Sequence, residues 1–241
     1  MPASAPRRVT RNRANPSLPE SGTDFAIYSN SKSARPLNAK PPVTGHGGAR
    51  NRADRTSDAL TESQVRALLL AIGRASAMGL PLNRHCTIHW ERGGLTDAQA
   101  AMAVGAFLTL VRDWLRKCGH PFAAVWVREN DDGDGSKGSH VHILLHLPAG
   151  VQWAGWRNRR WLERVTRRRY VAGTIRTRII AGTSKAAWTA PERFDANLGA
   201  VSGYVAKGAS PAAVAALGLE RWQPSGRIIG KRWGRSQNLR G

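Results

Sequence analysis

Three of the seven histidines in this chain, His140, His142 and His146, fall within one short segment. The residues around them alternate between polar and apolar, which is typical of a β-strand, and successive side chains of a strand point to opposite faces. We therefore expect the three histidines on one face and Val141 and Ile143 buried on the other. Two imidazoles two residues apart on a rigid strand are a preformed pair of metal ligands. The segment thus predicts a metal site.

A divalent cation needs more than two imidazoles, so a third ligand is expected nearby. Glu129 closes the preceding predicted strand, and a hairpin would bring its carboxylate opposite His140. Carboxylate combined with imidazole suits Mn²⁺ or Mg²⁺, whereas thiolates would favour zinc. The alternative third ligand is His89, which shares one face of an earlier predicted strand with His85.

A candidate nucleophile, Tyr204, lies on a predicted helix. The apolar stripe of that helix comprises Phe194, Leu198, Val201 and Val205. At about 100° per residue, Tyr204 falls at the edge of this stripe, where its ring can pack while its hydroxyl reaches solvent. Lys207 follows three residues later and projects from a neighbouring position. A cation so close to the phenol is expected to lower its pKa, which is ordinarily about 10.

Helical and strand periodicities place these residues on a limited set of elements. Thr61, ahead of a capping-box pattern, and Thr96 predict the starts of two helices. Helices are expected over residues 61–79, 96–118, 153–170 and 194–207, and strands over 86–90, 123–128, 139–147 and 174–180. This order, with strands joined as a hairpin, predicts an α+β fold whose central antiparallel sheet of about five strands is covered by helices.

The composition indicates a polyanionic partner, because 37 Lys and Arg residues against 16 Asp and Glu give a net charge of +21. No run approaches the roughly 18 apolar residues of a membrane span and no leader is apparent, so we expect a cytoplasmic protein. The two cysteines are too few for a disulfide scaffold. We expect a disordered basic arm at 1–56, a folded domain at 57–215 and a basic C-terminal extension at 216–241, which either adds a final strand or clamps DNA.

Between the two termini, net positive charge is concentrated in the predicted helix over 153–170. Its candidate DNA-binding side chains are Arg157, Arg159, Arg160, Arg164, Arg167 and Arg168. Tryptophans interleave with these arginines, which would suit a single strand whose bases stack on aromatic rings. The alternative is that the tryptophans form the buried stripe of the helix and only the arginines face solvent.

The motifs together resemble those of the HUH endonucleases, in particular the replication initiators with a single tyrosine. His140-Val141-His142 matches the His-hydrophobic-His motif of that family, and residues 204–207 match its Tyr-x-x-Lys motif. The strand at 86–90 matches its first motif, and the resemblance covers about residues 80–210. It implies an HUH-type fold, with Glu129 as third metal ligand at the end of the preceding strand.

The resemblance implies metal-dependent nicking and joining of single-stranded or hairpin DNA. Tyr204 would form a 5′-phosphotyrosine bond, with Lys207 adding positive charge beside it. The cofactor would be Mg²⁺ or Mn²⁺, bound by His140, His142 and Glu129. The biological role would be to initiate rolling-circle replication of a plasmid or phage in a prokaryotic cell. Because the sequence has no Walker-type phosphate loop, a separate host helicase and polymerase would be the partners.

Three alternatives remain open from the sequence. A single-tyrosine transposase has the same motif order, although Gln commonly replaces the lysine at the position of Lys207. A non-catalytic nucleic-acid-binding protein would use the charge without the chemistry, and its histidine cluster would be structural. A metal-dependent RNA-processing enzyme is the third alternative, and competition between RNA and DNA would expose it.

Overall fold

Five antiparallel strands form the central sheet of the structure, a computed structural model that describes residues 55–131 and 138–240. The strands in chain order are β1 (Thr56–Ser57), β2 (Arg84–His89), β3 (Ala124–Asp131), β4 (Gly138–Leu145), β5 (Ile175–Ile179), β6 (Ile228–Ile229) and β7 (Trp233–Arg235). The helices are α1 (Glu62–Ala77), α2 (Asp97–Lys117), α3 (Gly155–Thr166), α4 (Ala186–Thr189), α5 (Pro191–Val205) and α6 (Pro211–Leu217). The predicted α+β class with a five-stranded antiparallel sheet is confirmed.

Strand β4 lies at the centre of the sheet, whose order is β5-β2-β4-β3-β7. The small strands β1 and β6 pair separately with each other. In the register of β4, His140 is paired with His89 of β2 on one side and with Glu129 of β3 on the other. Because directly paired residues of antiparallel strands point to the same face, these side chains converge on one side of the sheet.

Helices cover both faces of the sheet. On one face, Val141 and Ile143 of β4 pack with apolar residues of α2 and α3. On the other face, Leu144 of β4 packs with residues of α1, α5 and α6. The odd-numbered residues of β4 therefore belong to the α2–α3 layer, as the alternation predicts. The histidines belong to the layer formed by α1 and α5.

The predicted helix starts are confirmed by their caps. Thr61 and Thr96 each accept a hydrogen bond from the backbone N–H three residues later, and in both cases the Gln at that position closes a capping box. Helix α3 is shorter than the predicted 153–170 because Arg167 adopts a left-handed conformation (φ 58°) and ends the helix. Its N–H donates to the carbonyl of Glu163.

The C-terminal segment, predicted as a basic extension over 216–241, contributes strands to the fold. Strand β7 pairs with β3 and completes the five-stranded sheet, and β6 pairs with β1. Arg232 links this segment to β1, because its buried guanidinium donates to Ser225 Oγ at 2.7 Å and to Ser57 Oγ at 2.9 Å. Of the two options for this segment, the final strand is the one found.

The predicted arm at 1–56 lies outside the described residues except for residues 55 and 56, as does the turn at 132–137 between β3 and β4. Within the described ranges, none of the helices is both long and apolar enough to cross a membrane.

Candidate metal centre and tyrosine site

Glu129, His140 and His142 form a group of potential metal ligands on the α1–α5 side of the sheet. One ligand atom from each lies within 4.8 Å of the others, and all three residues are buried. Glu129 Oε2 lies 3.3 Å from His140 Nε2 and 3.6 Å from His142 Nε2. The pairing of β3 with β4 that the sequence predicted is what brings the carboxylate to the imidazoles.

Each imidazole is oriented through its other ring nitrogen. His140 Nδ1 donates to the carbonyl of Gly138 at 2.8 Å, and its Nε2 faces the group, 3.3 Å from Glu129 Oε2. His142 Nδ1 lies 3.1 Å from Thr87 Oγ1 and 3.2 Å from His85 Nε2. Burial lowers the pKa of His142, against an opposing effect of Glu129, so the neutral ring is favoured. Such contacts fix the tautomer in metal-binding histidines.

The hydrogen bonding of the group's polar atoms is consistent with a metal site. His142 Nε2 and Glu129 Oε1 are buried and have no hydrogen-bond partner among the described residues. A buried polar atom without a partner costs roughly 1–3 kcal/mol, so two of them in one group need a compensating ligand. A cation bound between the two imidazoles and the carboxylate would supply it.

Lys207 supplies a positive charge to this group from the C-terminal end of α5. Its ammonium donates a short, buried hydrogen bond to Glu129 Oε2, the oxygen that faces both imidazoles. Burial alone would raise the pKa of Glu129, but the neighbouring His140 and His142 and the charge of Lys207 outweigh it, and the pKa lies far below its usual range. The carboxylate is therefore ionised and able to bind a cation.

Tyr204 lies beside the ligand group. Its ring is in edge contact with that of His142, with centroids 5.1 Å apart, and with that of His85 at 5.9 Å. Lys207 Nζ lies 5.0 Å from the centre of the phenol ring. The tyrosine is half-buried, as its position at the edge of the apolar stripe predicts. The structure thus brings together Glu129 and the residues of both predicted motifs.

The pKa of Tyr204 is raised, whereas the sequence predicted that a nearby cation would lower it. Burial raises it most and the carboxylate of Glu129 adds to this, while Arg178 and Arg221 act in the opposite direction. The ammonium of Lys207, the cation expected to act on the phenol, is bonded to Glu129 instead.

The two further histidine candidates do not join the ligand group. His89, the alternative third ligand, stacks on His140 with ring centroids 5.4 Å apart. His146 lies just beyond β4, where its Nδ1 is 2.9 Å from the carbonyl of Pro81. It is buried within the fold and contacts Trp188. His146, predicted only as a possible site residue, therefore lies outside the ligand group.

The arginines predicted to bind DNA lie on the other face of the sheet. Helix α3 packs through Leu162 into the α2–α3 layer, opposite the histidines. The side chains of Arg159, Arg160, Arg164, Arg167 and Arg168 are exposed, and Arg157 stacks on Trp114 at 4.4 Å. Of the tryptophans in this region, Trp153 and Trp161 pack into the core layer, whereas Trp156 is 57% exposed. The arginine face of α3 is available to a ligand, but not to one held at Tyr204.

The sequence placed His85 on one face of its strand with His89, but it predicted neither the contact of His85 and Thr87 with His142 nor the position of two arginines. Thr87 and His85 of β2 contact His142 directly, and Arg176 and Arg178 of β5 lie on the histidine face of the sheet. The alternation of each strand was visible in the sequence. The sequence did not show which strands are neighbours in the sheet. It therefore did not show which side chains of different strands share a face.

A scan against protein-family models, a search of curated proteins and a search of solved structures each found no match to this chain.

Proposed function

We propose that this protein is a metal-dependent enzyme that nicks and rejoins single-stranded DNA through a covalent bond to Tyr204. The observation that carries the proposal is the contact of the Tyr204 ring with His142, one of three buried side chains whose ligand atoms converge. A phenol beside a metal-binding group is the arrangement that metal-assisted attack of a tyrosine on a phosphate requires. HUH-type chemistry, which the motifs resemble, is the reaction class we assign.

In the proposed reaction, Tyr204 Oη attacks the phosphorus atom of one phosphodiester. The new bond joins the phenol oxygen to the phosphate on the 5′ side of the downstream strand, and the bond to the upstream 3′ oxygen breaks. The proton lost by the phenol balances the proton gained by the departing 3′-hydroxyl. Because the ester is retained, a 3′-hydroxyl can reverse the step and rejoin two strands.

Five side chains of this chain prepare that reaction. His140, His142 and Glu129 would hold Mg²⁺ or Mn²⁺, which would withdraw charge from the non-bridging phosphate oxygens. Thr87 holds the ring of His142 in place through Nδ1. Lys207, bonded to Glu129 and with Nζ 5.0 Å from the ring centre of Tyr204, would add positive charge beside the phenol.

The biological role that we infer is initiation of rolling-circle replication of a plasmid or phage, with a helicase and polymerase of the host as partners. It follows from the Tyr-x-x-Lys spacing of Tyr204 and Lys207. A single-tyrosine transposase is the alternative within the same chemistry. Rescue of replication from a cloned origin, as against excision of a flanked DNA segment, would separate the two.

Tyr204→Phe tests the nucleophile. A pool of randomised single strands is incubated with protein and Mn²⁺, and covalent adducts are separated on a denaturing gel. We expect an adduct that retains a label placed at the 3′ end of the DNA and loses one placed at the 5′ end. We expect no adduct with Tyr204→Phe, with EDTA, or with His140→Ala and His142→Ala together.

Tyr170→Phe is the matched control, because Tyr170 packs on the opposite layer of the fold. It should form the adduct as the wild type does. An adduct that persists in Tyr204→Phe would assign the nucleophile to another residue. Binding without an adduct in any variant, indifferent to EDTA, would favour the second candidate function. That candidate is non-catalytic nucleic-acid binding through the exposed arginines of α3.

A further inference from the structure

Two arginines of β5 lie on the same face of the sheet as the ligand group. Arg176 is paired with Thr87 and Arg178 with His85, so they point to the side where His85 contacts Tyr204. Both arginines are exposed. Within residues 55–131 and 138–240, neither forms an ion pair with an acidic side chain. The edge strand β5 therefore presents two exposed cationic side chains on the same side of the sheet as Tyr204.

A second exposed pair, Arg221 and Trp222, follows α6 in the chain and lies near the C-terminal end of α5 in space. The indole N–H of Trp222 donates to the carbonyl of Ala209 at 3.0 Å, and the next residue's N–H donates to the carbonyl of Lys207 at 2.9 Å. Although it is anchored in this way, Trp222 remains 53% exposed. Arg221, the residue before Trp222, is exposed as well.

We propose that Arg176, Arg178, Arg221 and Trp222 form a binding tract for single-stranded DNA, called here the Arg–Trp222 tract, that leads the strand to Tyr204. The proposal rests on the proposed function, which puts the scissile phosphate at the phenol. The arginines bind phosphates next to the scissile one, and the indole stacks on a base. Cationic side chains along the backbone combined with an aromatic platform are what single-strand binding requires.

The anchored indole distinguishes a single strand from a duplex. An aromatic ring stacks on a base only where the base's face is free, and in a duplex that face is covered by the neighbouring pairs. The arginines of α3 could bind phosphates of either form. They lie across the sheet from Tyr204, because α3 packs with Val141 and Ile143 rather than with the histidines.

The charge part of the tract is tested by equal charge removal from the two faces. Binding of a fluorescent 20-nucleotide oligo(dT) is measured by anisotropy over a range of salt, in EDTA and in the Tyr204→Phe background, so that no cleavage intervenes. Arg176→Gln with Arg178→Gln is compared with Arg160→Gln plus Arg164→Gln on α3. Each phosphate contact contributes about 0.7 to the log–log salt slope on a single strand, so the β5 pair should flatten the slope by about 1.4. This corresponds to about 25-fold in affinity between 1 M and 0.1 M salt.

The stacking part is tested with two tryptophans of similar exposure. Trp222→Ala should weaken oligo(dT) binding by about 5- to 150-fold, the range that base–aromatic stacking gives, with the salt slope unchanged. Trp156→Ala, on α3, should have less than a twofold effect. A duplex of the same length should bind more weakly than oligo(dT) and should be insensitive to Trp222→Ala.

Loss of binding in the α3 pair but not in the β5 pair would overturn the tract, as would equal sensitivity of duplex binding to Trp222→Ala. These results do not depend on whether the wild type forms an adduct. Binding that follows β5 and Trp222 without any adduct would retain the tract and reject the proposed function. An adduct, together with binding that is unchanged in the β5 pair and in Trp222→Ala, would retain the proposed function and reject the tract.

Discussion

His140 and His142 are both held at Nδ1, by a backbone carbonyl in one case and by β2 side chains in the other. The His-x-His spacing and the hairpin position of Glu129 sufficed to predict the ligand group, because a strand's alternation and an antiparallel pair fix those positions locally. The contact of Thr87 with His142 could not be predicted, since it depends on β2 being the other neighbour of β4. The same applies to Lys207, whose partner Glu129 is distant in sequence.

Lys207→Met should strengthen metal binding. The ammonium and a metal ion would compete for the same oxygen of Glu129. Two cations about 4 Å apart repel each other by several kcal/mol even at an effective dielectric constant of about 20. We expect the affinity for Mn²⁺ to rise by at least about tenfold, measured by calorimetry or by the loss of the free-ion spin-resonance signal. Formation of the DNA adduct should fall, because the positive charge beside Tyr204 is lost.

The stability of the same variant provides an internal check. Without metal, Lys207→Met leaves the buried Glu129 carboxylate without its ammonium partner, which typically costs about 3–5 kcal/mol in the free energy of unfolding. Saturating Mn²⁺ should restore much of that loss. Lys185→Met, at an exposed position, should change neither quantity. Weaker Mn²⁺ binding in Lys207→Met would show that the lysine supports the metal rather than competing with it.

Most helix and strand boundaries were predictable because caps and periodicity are local signals. The capping boxes at Thr61 and Thr96 start helices where the sequence places them. The end of α3 was not predictable, since a run of arginines carries no stop signal and left-handed helix ends usually fall on glycine. Arg167 takes that conformation with a φ of 58°. The length of α3 is therefore set by tertiary context and at a conformational cost.

Arg167→Gly should stabilise the protein. A left-handed conformation costs a non-glycine residue roughly 1–2 kcal/mol, and glycine's greater freedom in the unfolded chain offsets part of the gain. We expect the free energy of unfolding in urea to rise by about 0.5–1 kcal/mol. Arg169→Gly, in the loop that follows, should leave stability unchanged or lower it slightly. A loss of stability in Arg167→Gly would show that its side chain, rather than its backbone, matters at this position.

At the scale of the whole molecule, the C-terminal segment adds the edge strand β7 to the sheet and supports β3, the strand that carries Glu129. Arg128 of β3 is fully buried, pairs with Asp97 at the start of α2 and donates to the carbonyl of Ile229 at 2.8 Å. The close approach of β7 requires Gly234, because a Cβ there would lie 2.7 Å from the ring of Trp126. The sequence left this segment undecided, since a three-residue strand has no detectable periodicity.

Deletion of residues 216–241 should therefore abolish folding rather than only weaken nucleic-acid binding. The deletion removes the strand partner of β3 and two acceptors of the Arg128 guanidinium, the carbonyls of Ile229 and Lys231. Breaking a buried charge network typically costs 3–5 kcal/mol, and the lost apolar contacts of Ile228 and Leu239 add to this against a total stability of about 5–15 kcal/mol. We expect no cooperative thermal transition by circular dichroism. Deletion of residues 240–241 alone should retain it, because Leu239 stays in the core. A cooperatively melting protein that lacks 216–241 and differs only in DNA affinity would return this segment to the role of an appended extension.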